Sequence, residues 1–125
     1  MPVELDHLLV RSREKQASAA FLAEMLGLPP PIPVGPGGRF HQLRLASGTA
    51  LDVADAGDLF EPQHYAFAVS DPEFDAVLGR IHDRRLPYWA DPGQTQPGQV
   101  ADRGGGTRAV YFADPCGHWI EVLTR

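Results

Sequence analysis

The predicted elements occur in the same order twice, and this repeat limits the possible folds more than any other feature of the sequence. In each half, a short apolar strand leads into an amphipathic helix, and alternating segments that predict further strands follow. The strands are predicted at residues 5–12, 40–46, 49–54, 64–70, 87–90, 107–113 and 118–124. The helices are predicted over 14–26 and from Asp71-Pro72 onward. We therefore predict one α+β domain over residues 1–125, with β-α-β-β-β modules at about 1–55 and 63–125.

Polar residues recur at matching places in the two halves. A carboxylate follows a turn glycine by four residues at Asp52 and again at Glu121, and a histidine opens the first strand of each half at His7 and His64. Strand alternation places small residues beside Asp52 and His64, on the face opposite the large apolar side chains. We expect an open face with a polar floor, which is typical of a small-molecule pocket.

The candidate site residues favour a metal centre. His7, His64 and Glu121 form a nitrogen and oxygen ligand set suited to Mn, Fe(II), Co, Ni or Zn, with coordination positions left for a substrate. Asp52 is one methylene shorter than glutamate, so it is either a fourth ligand or the catalytic base beside the substrate. Tyr111 either donates a hydrogen bond to a substrate oxygen or packs at the sheet rim, depending on strand register.

Three phrases carry a resemblance to a known family. They are Asp6-His7-Leu8, His64-Tyr65-Ala66-Phe67, and the run from Tyr111 to Glu121 that reads YFADPCGHWIE. The chain resembles the vicinal oxygen chelate superfamily, which includes glyoxalases, extradiol dioxygenases, fosfomycin-resistance thiol transferases and bleomycin-binding proteins.

The resemblance implies a fold and a set of site residues. Two modules would form a curved eight-stranded mixed sheet around a metal, with His7, His64 and Glu121 on the ligand positions and Asp52 on an optional fourth. Tyr111 would point into the pocket. The resemblance also implies a homodimer that exchanges modules, so that His7 of one chain meets His64 and Glu121 of the other.

Charge and cysteine content exclude several classes of protein. A formal net charge of -5 argues against nucleic acid and anionic membranes as partners. Lys15 is the only lysine, which disfavours Schiff-base chemistry, and Cys116 is the only cysteine, which excludes an intrachain disulfide. No apolar run is long enough to span a bilayer. We therefore expect a cytoplasmic protein.

These features leave three functions open. The leading hypothesis is a divalent-metal enzyme of the glyoxalase type, a lyase, isomerase or thiol transferase, acting on a small oxygen-rich molecule. The second is an Fe(II) extradiol-type dioxygenase, and the third is a metal-free binding protein that sequesters a drug-like molecule. The long segment 91–108 is predicted to be a lid or binding loop. Its Arg103 and Arg108 either clamp a carboxylate or are solvated at the surface, and the sequence favours solvation.

Overall fold

Each half of the chain folds into a four-stranded mixed sheet with one α-helix. The structure, a computed structural model, describes residues 2–125. The chain divides into a first unit, residues 1–61, and a second unit, residues 62–125. Both units have the element order β-α-β-β-β. The predicted α+β class and the repeated module are confirmed.

The first unit packs its helix on the sheet. Its elements are β1 His7–Ser12, α1 Lys15–Leu26, β2 Ile32–Val34, β3 Phe40–Arg44 and β4 Ala50–Asp55, with a 3-10 turn at Pro36–Gly38. The strand order is β1-β4-β3-β2, with β1 parallel to β4 and the other neighbours antiparallel. Leu22 and Met25 of α1 are buried together with Leu43, Leu51 and Val53 of the sheet. Burial of these side chains supplies the main stabilising contribution of this unit.

The second unit repeats that arrangement. Its elements are β5 His64–Val69, α2 Asp71–Asp83, β6 Ala101–Asp102, β7 Arg108–Ala113 and β8 Trp119–Thr124. The strand order is β5-β8-β7-β6, and β5 is parallel to β8. Phe74, Val77 and Ile81 of α2 are fully buried, as are Ile120 and Val122 of β8. The periodicity of both elements therefore predicted the buried face correctly.

The strand registers of the two units are equivalent. In the first unit Leu9 lies opposite Asp52, and in the second unit Ala66 lies opposite Glu121. His7 and His64 each precede that opposing residue by two positions, so histidine and carboxylate share one face of the sheet in both units. The repeated polar positions that the sequence predicts thus have the same structural environment at the level of the backbone.

Local signals at the helix ends differ slightly from expectation. The cap of α1 is Glu14, whose side chain accepts from the backbone N–H of Gln16 at 3.2 Å. Ser12 is a cap candidate by residue type, but its hydroxyl donates to the carbonyl of Ala54. Gly27 ends α1 in the left-handed conformation at φ 67, as its sequence position predicts. Helix α2 begins at Asp71, and its cap is Ser70 rather than Asp71, with Glu73 completing a capping box.

One strand prediction is wrong, and two short strands were missed. The segment expected to be a strand at 87–90 makes only isolated bridges, in which Trp89 exchanges two backbone hydrogen bonds of 2.9 Å with Tyr111. Pro87 and Pro97 lack the N–H groups that would extend this ladder. The short strand β6 instead lies inside the segment expected to be a loop, and β2 lies inside the proline-rich segment after α1.

The turn between β7 and β8 is held by a buried carboxylate. Oδ1 of Asp114 accepts from the backbone N–H groups of Cys116 at 2.9 Å and His118 at 2.8 Å. Burial raises the pKa of Asp114 above its ordinary value of 3.8. Nδ1 of the buried His118 accepts from the N–H of Gln63 at 2.9 Å, which ties the turn to the start of β5. No helix in residues 2–125 is long and apolar enough to cross a membrane.

Candidate metal-binding site

His64 and Glu121 meet on the sheet of the second unit. The parallel register between β5 and β8 places them diagonally on one face, and Nε2 of His64 lies 3.0 Å from Oε1 of Glu121. The side chain of His64 is 45% exposed, whereas that of Glu121 is 11% exposed. An exposed imidazole and a sheltered carboxylate of the predicted ligand set are therefore in direct contact.

The second oxygen of Glu121 is paired with an arginine. Nη1 of Arg103 lies 2.9 Å from Oε2 of Glu121, so both carboxylate oxygens have partners. A carboxylate removed from water requires such compensation. Glu121 was expected on an open face, but it is buried beneath these contacts.

Arg103 is the candidate that sequence reasoning ranked too low. It was expected to be solvated, because residues 91–108 were interpreted as one loop. In the structure β6 pairs with β7, and the N–H of Arg103 bonds the carbonyl of Thr107 at 2.9 Å. Strand alternation from Ala101 then places Arg103 on the face that carries Tyr111. A hairpin interpretation of residues 101–113 would have found it.

Tyr111 lies on the same face as Glu121. The antiparallel register of β7 and β8 places the two residues opposite each other. Nη2 of Arg103 donates a hydrogen bond to the hydroxyl oxygen of Tyr111. Burial is the main cause that raises the pKa of Tyr111 above its ordinary value of 10, and the charge of Glu121 acts in the same direction. The phenol therefore stays protonated at neutral pH and can donate a hydrogen bond.

Aromatic rings border this group. The ring of Tyr111 lies 6.1 Å from that of His64 and 6.2 Å from that of Trp119, with which it is stacked. Trp89 continues the series at 5.3 Å from Trp119. These contacts restrict the rotamers of Tyr111 and His64, so the second unit holds its polar side chains in a defined geometry.

In the first unit, His7 is paired with its neighbour. Its side chain is 59% exposed, and Nδ1 lies 2.7 Å from Oδ2 of Asp6. This hydrogen bond is the main cause that raises the pKa of His7 above its ordinary value of 6.5, and the negative charge of Asp52 adds to it. A carboxylate on one ring nitrogen orients the other toward a metal in many metalloproteins. The pair Asp6 and His7 fits that role.

Asp52 is held by an amide. Nε2 of Gln42 donates to Oδ1 of Asp52 at 2.9 Å, and the register of β3 and β4 places these residues opposite each other. Gln42 thus has the position in the first unit that Tyr111 has in the second. Asp52 is half-buried, and Oε1 of Gln42 is buried with no hydrogen-bond partner among residues 2–125.

His64 and Glu121 are hydrogen-bonded at a separation that two ligands of one divalent metal would also have. Two ligand atoms at about 2.1 Å from one ion and about 90° apart are separated by about 3.0 Å. The observed separation of Nε2 and Oε1 is 3.0 Å. Within the part of the chain that the structure describes, no group of three or more His, Cys, Asp or Glu side chains is close enough to hold a metal. The structure therefore brings together two of the four candidates.

Three further polar residues make contacts that support the fold, among them Arg108, which was expected to be solvated. His82 contacts the hydroxyl of Tyr88 at 3.0 Å, and His118 supports the β7–β8 turn. Arg108 pairs with Asp71 and Asp75 at the start of α2. None of these contacts involves the face that carries His64 and Glu121.

The sequence of this region and of its counterpart in the first unit matches a known family. The profile described as Glyoxalase/Bleomycin resistance protein/Dioxygenase superfamily matches residues 4–122. The chain belongs to this superfamily. The resemblance that the motifs indicated is thereby confirmed.

Solved structures of this superfamily differ widely in their similarity to the chain. Oxidase ChaP-H1 is 44% identical, with a TM-score of 0.92 over 99% of this chain and 97% of that chain. Oxidase ChaP-H2 is 43% identical, with a TM-score of 0.92 over 100% and 95%. A lactoylglutathione lyase from Agrobacterium tumefaciens is 17% identical, with a TM-score of 0.71 over 98% and 94%, and this likeness shows the fold alone. A comparison with curated protein sequences gave no match.

Proposed function

We propose that this protein is a metal-dependent oxidase that uses dioxygen to oxidise a small molecule carrying two neighbouring oxygen atoms. The observation that carries the proposal is the 44% identity with an oxidase over nearly the full length of both chains. The sequence patterns alone favoured a glyoxalase-type lyase or transferase over a dioxygenase. The similarity supports the reverse order, because the lyase shares the fold at only 17% identity.

His64 and Glu121 are proposed as two metal ligands, with His7 as the third. These two imidazoles and one carboxylate would hold a divalent iron ion, which when bound would carry electrons from the substrate to dioxygen and polarise the substrate oxygens. The simplest stoichiometry is that of a dioxygenase. Both atoms of dioxygen enter the product and the substrate supplies all the electrons, so no external reductant is consumed. Zinc has no redox chemistry and does not fit this reaction, and iron is the redox-active metal proposed here.

Asp52 is proposed as the base, and Tyr111 as a hydrogen-bond donor to the substrate. Asp52 is fixed through Oδ1 by Gln42, which leaves Oδ2 to accept a proton from a substrate hydroxyl. Tyr111 keeps its proton near neutral pH, because burial raises the pKa of its phenol. It therefore donates a hydrogen bond to a substrate oxygen whose negative charge increases during the reaction.

A homodimer is proposed to complete the ligand set. In an arrangement that exchanges modules, as the superfamily resemblance implies, His7 and Asp52 of one chain would join His64 and Glu121 of a second copy. A closed two-fold dimer would contain two such sites. Sedimentation analysis with and without metal tests this arrangement.

The decisive experiment measures oxygen uptake after anaerobic loading with Fe(II). We expect wild-type protein to consume oxygen with 4-nitrocatechol as a two-oxygen test substrate, and the His64→Ala variant, as the matched control, to consume none. Retained metal without oxygen uptake, combined with turnover of the hemithioacetal of methylglyoxal and glutathione, would restore the glyoxalase-type hypothesis. Tight binding of 4-nitrocatechol that resists chelators would instead support metal-free sequestration.

A further inference from the structure

The guanidinium of Arg103 has more donors than residues 2–125 use. Arg103 carries five N–H groups, and its hydrogen bonds and ion pairs run from Nη1 to Glu121 and from Nη2 to the hydroxyl of Tyr111. The side chain is 40% exposed, whereas that of Glu121 is 11% exposed. Arg103 therefore covers the carboxylate and presents its remaining donors to solvent, on the face of the sheet that carries His64.

The backbone of Arg103 is fixed while its side chain is long. The N–H of Arg103 bonds the carbonyl of Thr107, and the side chain of Asp102 accepts from the N–H of Gly104 at 2.9 Å. These contacts anchor the turn between β6 and β7. A change of partner by the guanidinium therefore requires rotation of side-chain bonds only, which is a small conformational change.

Charge balance predicts that the guanidinium of Arg103 changes partner when a metal binds Glu121. A carboxylate that binds a divalent cation is a weaker partner for a guanidinium, since much of its negative charge is already compensated. An arginine next to such a centre is left with an uncompensated positive charge and free N–H donors. An anionic oxygen at hydrogen-bonding distance from Arg103 restores the balance and matches the planar donor pattern.

We propose that Arg103 determines substrate specificity by recognising an ionised oxygen of the substrate. This inference rests on the proposed function, since it assigns Glu121 to the metal. Tyr111, which shares the guanidinium with Glu121, orients Arg103 toward the same oxygen. Both a phenolate and a carboxylate present the required chemistry.

The test uses Mn(II)-loaded protein and two chemical probes. 4-Nitrocatechol offers an ionised phenol beside a hydroxyl, and salicylate offers a carboxylate beside a hydroxyl. Binding of each is measured by calorimetry and, for 4-nitrocatechol, by its absorption spectrum, in wild type, Arg103→Gln and Arg103→Lys. Arg108→Gln is the matched control, because Arg108 lies on the same hairpin and pairs with Asp71 and Asp75. Thermal unfolding of every variant checks the fold.

We expect Arg103→Gln to weaken the preferred probe by roughly 10- to 100-fold, which is the loss of charge-assisted hydrogen bonds. Arg103→Lys should recover part of this affinity, and Arg108→Gln should bind like wild type. Mn(II) affinity of Arg103→Gln should be equal to or higher than that of wild type, because a competing positive charge is removed. The probe that responds more strongly identifies a phenolate or a carboxylate as the recognised group.

Several outcomes overturn the proposal. Wild-type affinity of Arg103→Gln for both probes would show that Arg103 does not recognise the anion. Loss of Mn(II) from Arg103→Gln would assign it the structural role of holding Glu121. Failure of wild-type protein to retain Mn(II) or Fe(II) would instead refute the proposed function, and this result is separate because it involves no Arg103 variant.

Discussion

The two units contain the same histidine and carboxylate diagonal, but only one of them brings the two side chains into contact. In the second unit, His64 lies 3.0 Å from Glu121. In the first unit, His7 pairs with Asp6, and Asp52 pairs with Gln42. The backbone registers are equivalent, so the difference arises from the side chains.

Side-chain length and cross-strand partners explain that difference. Glutamate extends one methylene further than aspartate, which allows Glu121 to reach across the diagonal to His64. Asp52 is shorter, and the amide of Gln42 holds it on the other side. A duplicated backbone can therefore supply a metal-ligand pair in one unit and a proton-accepting carboxylate in the other.

The largest expected effect comes from breaking the contact pair of the second unit. Glu121→Gln keeps the side-chain shape but removes the charge, so we expect metal affinity to fall by on the order of 100-fold or more, above the 10- to 100-fold typical of residues that only support a ligand. Metal content after dialysis measures this. Glu73→Gln, at the exposed start of α2, serves as the control, and unchanged metal content in Glu121→Gln would remove this residue from the ligand set.

Changing the first unit should affect turnover more than metal content. Asp52→Ala removes the carboxylate held by Gln42, and we expect oxygen consumption to fall by roughly 100-fold or more, as for loss of a general base. Metal affinity should stay within a few-fold of wild type. Equal loss of metal and activity would show that Asp52 is a ligand, and the two units would then be alike in function.

Removing the hydroxyl of the residue opposite Glu121 sharpens the comparison further. Tyr111→Phe removes the hydroxyl opposite Glu121, and we expect about a tenfold lower kcat with metal content unchanged, because one neutral hydrogen bond contributes about 1 kcal/mol. Because burial raises the pKa of Tyr111, ionisation of this phenol should not produce a decline in activity below pH 10. This assignment would be contradicted if the activity of the wild type declined with pH near neutrality and the midpoint of that decline moved in Tyr111→Phe.

The smallest expected effect concerns the helix caps. Ser70→Ala removes the cap of α2 and should lower the free energy of unfolding by about 1 kcal/mol, or Tm by roughly 4 °C. The Ser70 hydroxyl is the main cause that lowers the pKa of Glu73 below 4.5. This stabilisation is present above the unfolded pKa and is lost as pH falls through the folded one.

Urea titrations at pH 7 and pH 3.5 test this pH dependence. The difference between wild type and Ser70→Ala should be smaller at the lower pH. Glu14→Ala, at the start of α1, is the comparison from the first unit, where the cap makes one bond of 3.2 Å. We expect a smaller loss there, and an equal loss would show that the capping box adds nothing.

Periodicity predicted most of the fold because the apolar residues of each element follow one spacing. The repeat of histidine and carboxylate positions likewise predicted which residues share a face, and the registers of Asp52 and Glu121 agree with it. Short elements were missed. Strand β6 has two residues, and prolines obscure β2, so neither has enough residues to display a period.

The contacts of the site depend on information that spacing does not contain. The sequence favoured a solvated Arg103. Its partners Glu121 and Tyr111 lie on other strands, and only the pairing of β6 with β7 brings Arg103 to them. Likewise, nothing in the spacing distinguishes the amide partner of Asp52 from the guanidinium partner of Glu121. Residue identity predicted the chemistry, and tertiary pairing determined the partners.

The buried Asp114 fixes how β7 and β8 are joined, and this has a consequence for interpreting genetic variation. A slip of one residue in this turn would turn Tyr111 and Glu121 toward opposite faces of the sheet. A substitution at Asp114 would then abolish activity although the residue touches no reactant. Deep mutational scans should therefore score Asp114 among the most sensitive positions, and inactivity there would report a shifted strand rather than lost chemistry.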